Sequence, residues 1–262
     1  MKTDKLKENS NVRVFRGRLA SGNTVPNPLI QHHFPDAPST DIAIIIFAGG
    51  GYHKRSSHEG PGYAEFLAKA GIHAFVVEYR IGSEGHRHPA MLEDALAAIN
   101  TIRTQAAEFG IHSGKIGVMG SSAGGHLAAH ALTCWHQYPS EISLRPDFGI
   151  LCYPVITANP DHAHAGSFKN LLGDAPSNAQ VTEVSLEKQV SAQTPPCFLW
   201  HTGEDKPVPM ENSLLFAQAL RRYDIPFEMH IYPDGEHGLG LDTPFDWATP
   251  CLHWIKKTCK HR

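Results

Sequence analysis

At 262 residues, with 41 % hydrophobic and 19 % charged side chains, the chain is long enough to bury the core of an α/β domain. A formal charge of −3 leaves no basic footprint for nucleic acid, and no run of about 18 apolar residues offers a membrane span. Segment 1–10 lacks the apolar stretch of a secretory signal, and the five cysteines are odd in number, scattered and free of C-x-x-C spacing, so reduced thiols and a cytoplasmic location are expected.

Along the chain, short apolar runs predict strands near 12–16, 42–47, 74–79, 115–119, 148–153, 197–201 and 227–232. Between them, helices are expected near 63–69, 91–109, 123–138, 213–223 and 245–257. Strands alternating with helices imply a mostly parallel central sheet with helices on both faces. The whole chain, 1–262, reads as one domain, with no internal repeat. The stretch 157–193 breaks the alternation and is expected to form a small lid or cap insertion over the catalytic edge.

The junction after the 115–119 run is the most informative. There, Gly120-Ser121-Ser122-Ala123-Gly124 leads into an Ala- and Leu-rich helical stretch. A G-x-S-x-G turn between strand and helix is a nucleophile elbow, which leaves no room for flanking side chains and exposes a strained serine, here Ser122, at a helix N-terminus.

A serine hydroxyl needs a base, and the base an orienting acid, expected later in the chain in the order acid, then His. The 197–201 strand runs into Thr202-Gly203-Glu204-Asp205, which places a carboxylate at a strand end; Asp205 is the candidate and Glu204 its rival. The 227–232 strand leads into Pro233-Asp234-Gly235-Glu236-His237-Gly238. Among 18 histidines, His237 alone follows the last strand in a glycine-flanked loop; Asp234 and Glu236 are rivals by proximity only. Donors for a developing oxyanion are expected from the triple glycine after strand 42–47: the N–H of Gly50 or Gly51, with that of Ala123.

With these parts in order, the chain resembles α/β-hydrolases of the acetyl esterase and acetylxylan esterase-like (feruloyl esterase-like) group. The resemblance lies in Gly49-Gly50-Gly51-Tyr52, Glu59-Gly60, Tyr79-Arg80, Gly120 to Ala128, His201-Thr202-Gly203-Glu204-Asp205 and Glu236-His237-Gly238. Ala48 stands where the hormone-sensitive-lipase type carries the His of His-Gly-Gly-Gly. The resemblance implies hydrolysis of short acyl esters, acetyl groups on sugars or xylo-oligosaccharides foremost, through an acyl-enzyme on Ser122 and without a cofactor. The same machinery serves amidases, arylformamidases and peptidase-like hydrolases, and a non-catalytic ligand sensor shares the fold. The expected partner is a small-molecule ester; self-association into a homo-oligomer is left open.

Tyr52 and His53 follow the oxyanion loop and are candidates for substrate contact. Glu59 is read as an anchor for that loop or a substrate contact, Arg80 as half of an internal ion pair or the donor of a loop hydrogen bond, and Asp94 as a structural hydrogen-bond acceptor on a helix. Trp200, Trp247 and Trp254 fit packing against the sheet. The pairs His86/His88 and His162/His164 lack the convergent third and fourth ligands of a metal site, so no metal is expected.

Overall fold

The computed structural model describes residues 11–19 and 28–260; the polar segment 1–10 lies outside them. In chain order the elements are β1 (Val12–Arg16), β2 (Leu29–His33), β3 (Ala43–Phe47), α1 (Pro61–Lys69), β4 (His73–Glu78), α2 (Ala90–Thr104) and α3 (Ala106–Phe109). They continue with β5 (Ile116–Ser121), α4 (Ser122–Cys134), β6 (Phe148–Cys152), α5 (Ala165–Leu172), α6 (Asn178–Glu183), β7 (Cys197–Thr202), α7 (Glu211–Arg222), β8 (Phe227–Tyr232) and α8 (Ala248–Cys259).

The strands form one eight-stranded sheet in the order β1-β2-β4-β3-β5-β6-β7-β8. The β1–β2 and β2–β4 pairings are antiparallel and the rest parallel. This is the α/β-hydrolase fold. Because successive side chains on a strand face opposite ways, β3 feeds two cores at once. Ile45 and Phe47 join Leu96, Ile99, Leu127, Leu132 and Leu220 from α2, α4 and α7 on one face. Ile44 and Ile46 join Tyr63, Leu67, Trp254 and Ile255 from α1 and α8 on the other. Each such side chain, taken fully out of water, contributes about 1.5–3 kcal/mol, so the central strands are held from both sides. Trp200 is fully buried and stacks on Trp247 with ring centroids 4.9 Å apart, while Trp254 packs on Phe148 and Phe198. Among the described residues, no helix is long and apolar enough to cross a membrane.

Three elements differ from the sequence expectation. Strand β2 carries Gln31-His32-His33 and shows no apolar alternation, yet His32 is fully buried, stacked 4.1 Å from Phe75 and within 3.1 Å of His73 Nδ1. The expected 91–109 helix breaks at Gln105 into α2 and α3. The 157–193 stretch contains α5 and α6, capped by His164 and by a Ser177/Gln180 capping box.

Candidate active site

The parallel strands point their C-terminal ends to one edge, where open α/β sheets collect functional loops. Strand β5 ends in the elbow. Ser122 opens α4 with φ of 53°, a left-handed conformation that costs a non-glycine residue of order 1–3 kcal/mol and survives because the surroundings impose it. A Cβ on Gly124 would run into the carbonyl oxygen of Phe47, which explains the glycine two residues beyond the serine.

The loops after β7 and β8 bring Asp205 and His237 to Ser122. His237 Nε2 lies 2.8 Å from Ser122 Oγ, and His237 Nδ1 lies 2.6 Å from Asp205 Oδ2. Since a carboxylate only accepts, Nδ1 carries the hydrogen and Nε2 is left to accept from the serine hydroxyl. Of the rivals, Glu204 is exposed and accepts from the Gly235 amide at 3.1 Å, steadying the histidine loop, and Asp234 and Glu236 are exposed.

Asp205 has a support that sequence reasoning missed. Its Oδ1 accepts from the Val208 amide at 2.9 Å. His201 Nε2, which donates to the Val208 carbonyl at 2.8 Å, also lies 3.2 Å from Asp205 Oδ2. His201 Nδ1, 2.8 Å from Ser213 Oγ, is therefore the acceptor of that hydroxyl. Burial pushes the Asp205 carboxyl up, but hydrogen bonds from His201 and His237, the nearby His237 charge and the Val208 amide outweigh it and bring the pKa down to about 2. The only sequence trace of this support is the i,i+4 spacing of His201 and Asp205.

The triple-glycine loop folds back on itself. Gly50 has φ of 125°, and its carbonyl accepts from the His53 and Lys54 amides at 3.0 and 3.1 Å. Among the described residues, no acceptor takes the N–H of Gly50 or Gly51. Ala123 sits in the first turn of α4, where amides have no intrahelical carbonyl. The Gly49 amide, by contrast, is occupied by Glu59 Oε2 at 3.0 Å. Glu59 is buried, and its Oε1 accepts from Tyr153 Oη at 2.6 Å; that phenol oxygen in turn accepts from the Gly240 amide at 3.0 Å. The Tyr153 ring lies edge-on to His237, 5.2 Å between centroids. One buried carboxyl thus ties the glycine loop to the segment carrying His237. Burial raises its pKa, and this outweighs the lowering by Tyr153, by the charges of His58 and His237 and by the Gly49 amide.

Tyr52 and His53 part company. His53 is exposed. Tyr52 does not line the cleft as expected: its φ of 56° turns the side chain inward, where it is 1 % exposed and its hydroxyl lies 2.8 Å from His126 Nδ1. His126 Nε2 donates to the Val184 carbonyl at 2.9 Å, so Nδ1 accepts from the Tyr52 hydroxyl. Burial, offset by the Val184 bond and reinforced by His88, lowers the His126 pKa to about 4 and keeps the ring neutral. The glycine loop, α4 and the 157–193 stretch meet at this one imidazole. Arg80 and Asp94, read separately from sequence, are partners: Arg80 Nε lies 2.9 Å from Asp94 Oδ2.

A hydroxyl, an imidazole and a carboxylate in this order, beside unoccupied amides, form an arrangement suited to nucleophilic acyl transfer. The α/β hydrolase fold family model matches residues 44–240, and the chain belongs to that family. It is 42 % identical over 228 residues to endo-1,4-beta-xylanase B of Butyrivibrio fibrisolvens, covering 84 % of this chain and 35 % of that protein. It is 32 % identical over 231 residues to an acetylxylan esterase of Xylanibacter ruminicola, covering 85 % of this chain and 46 % of that one. The chain thus spans between a third and a half of these relatives. A solved acetyl ester-xyloside bifunctional hydrolase from Caldicellulosiruptor lactoaceticus superposes with a TM-score of 0.85 at 40 % identity, over 92 % of this chain and 96 % of that one.

Proposed function

We propose that the chain is a serine carboxylic-ester hydrolase that removes short acyl groups, acetyl foremost, from acetylated sugars or xylo-oligosaccharides. The observation that carries the reading is the unbroken path from Ser122 through His237 to Asp205, with steps of 2.8 and 2.6 Å. Likeness to an acetylxylan esterase and to an acetyl ester-xyloside hydrolase supports the substrate class.

In this mechanism Ser122 Oγ attacks the ester carbonyl while His237 Nε2 takes its proton. Asp205 holds the imidazole in the required tautomer and stabilises its cation, and it remains ionised because His201 and the Val208 amide keep its pKa low. The oxyanion is held by the amides of Ala123 and of Gly50 or Gly51, each such donor contributing about 3–4 kcal/mol to the transition state. His237 then protonates the leaving sugar oxygen, and water, activated by the same imidazole, releases acetate from Ser122. The chain's own residues suffice for every step, so no cofactor is invoked.

The 157–193 stretch acts in this reading as a cap: Asn170 Nδ2 donates to the Gly51 carbonyl at 2.8 Å, and Val184 holds His126, so the insertion braces the oxyanion loop. Five cysteines, all free and buried, support a reducing compartment, and with it a cytoplasmic enzyme acting on small esters or imported oligosaccharides.

The test is hydrolysis of p-nitrophenyl esters from acetate to octanoate, run beside acetylated xylo-oligosaccharides. Activity that is greatest on acetate, falls with acyl length and extends to the sugars is expected. A preference for long acyl chains with no release of acetate from the sugars would overturn the substrate class.

A further inference from the structure

The mechanism leaves unused a polar group that packs beside the glycine loop. His164 stands just before α5 and caps it: its Nδ1 accepts from the Ser167 amide at 3.3 Å and lies 2.7 Å from Ser167 Oγ. A ring nitrogen that accepts from an amide carries no hydrogen, so the Ser167 hydroxyl donates to it as well and the ring hydrogen sits on Nε2. Ser167 is fully buried and fixes the ring. Among the described residues, no acceptor takes the Nε2–H.

This donor stands at the candidate oxyanion loop. A Cβ built on Gly51 would meet only Ser167 Oγ, at 3.8 Å, and His164 Cε1, at 3.9 Å, which is ordinary contact distance. Asn170, one turn further along α5, holds the Gly51 carbonyl at 2.8 Å, so the start of α5 is docked on that loop. His164 is also near enough to sense the other two sites of charge: burial lowers its pKa first, His237 lowers it further, and Asp205 opposes them. Because Nδ1 accepts from the Ser167 amide, the ring is a neutral N–H donor, half-buried beside the glycine loop that borders Ser122. An alcohol that is a sugar offers acceptor oxygens next to its ester carbon, and a simple aryl or alkyl alcohol does not.

We propose that His164 contacts the substrate and sets its specificity, donating from Nε2 to a hydroxyl or ring oxygen of the sugar whose ester is cleaved at Ser122. This rests on the acyl-sugar reading given under the proposed function. It assigns the cap two tasks with two atoms of one side chain: Nδ1 starts α5, and Nε2 reads the acyl acceptor.

The test separates these tasks with His164→Asn and His164→Ser, since both replacements accept from a helix amide and neither places a donor where Nε2 stands. Values of kcat/KM are measured for each on an acetylated methyl xyloside and on p-nitrophenyl acetate, with circular dichroism to verify folding. One ordinary hydrogen bond corresponds to about tenfold in affinity, so a loss of about 10- to 30-fold on the xyloside is expected, carried mainly by KM. The accompanying loss on p-nitrophenyl acetate should be several times smaller. Equal losses on both substrates, or an undiminished rate on the xyloside in both variants, would overturn the assignment and leave His164 a helix cap alone. If the unsubstituted enzyme cleaves p-nitrophenyl acetate and not the xyloside, the acyl-sugar reading itself fails, and this inference with it.

Discussion

Asp205 illustrates how much of this site is decided by single atoms. Its two oxygens face His237, His201 and the Val208 amide, so the carboxylate has no freedom to turn and stays ionised. Replacing it by Asn keeps the shape but puts an amide where the imidazole must donate, which favours the wrong His237 tautomer. Asp205→Asn should therefore lower kcat by about four orders of magnitude with the fold intact, measured by ester hydrolysis beside a thermal melt. A loss under tenfold would show that the carboxylate does not orient the base. That Ser122, Asp205 and His237 would meet at one sheet edge was legible in the sequence, because each follows a strand with a clear apolar run. His201 was not, because its role depends on the Val208 turn folding back over the strand end. Tyr52 was misplaced for a related reason: whether a residue after a triple glycine faces out or in depends on a backbone torsion, here φ of 56°, that no residue pattern announces.

At the level of elements, α4 is the hinge of the architecture. It is buried along its whole length, between the sheet, α2 and the 157–193 stretch, and its N-terminus carries Ser122. The elbow works only if α4 approaches β3 without a side chain between them. Gly124→Ala places a methyl on the Phe47 and Ala48 carbonyls and should displace the start of α4. An overpacked contact of this kind costs about 1–3 kcal/mol, seen as a lower denaturation midpoint, with at least a tenfold fall in kcat from the misplaced serine. Unchanged stability and rate would mean that the close approach is not needed. The main strands and helices were legible from periodicity to within a few residues. Strand β2 was hidden because its burial relies on His32 stacking on Phe75, and α5 because a histidine cap is a weak signal beside Ser, Thr, Asp or Asn.

Taken whole, the molecule keeps several imidazoles neutral inside. Burial, with His73, His33 and Arg13 adding to it, lowers His32 to about 3, and burial lowers His126 to about 4. His130 is held well below the usual histidine range by burial and by its neighbours His126 and His88. A histidine whose pKa is depressed on folding stabilises the fold above its unfolded value, and that stability is lost as pH falls toward the folded value. Three such groups acting together steepen the loss of stability as the pH falls below the ordinary histidine range. Asp205, depressed to about 2, extends the same trend below the ordinary carboxylate range. Glu59 acts with opposite sign, since its raised pKa takes stability away as the pH climbs through the interval above its unfolded value. Urea titrations from pH 7 to 4.5 should show cooperative acid unfolding, and a midpoint that stays level across that range would contradict this account of the buried histidines.

In the proposed mechanism Ser122 carries the acyl group between sugar and water. Its most direct test is kcat/KM for release of acetate from an acetylated xyloside by Ser122→Ala, measured beside the unsubstituted chain. A fall of about four to six orders of magnitude with an unchanged circular dichroism spectrum is the expected result. Retention of more than a hundredth of the activity would contradict it and remove Ser122 from the reaction.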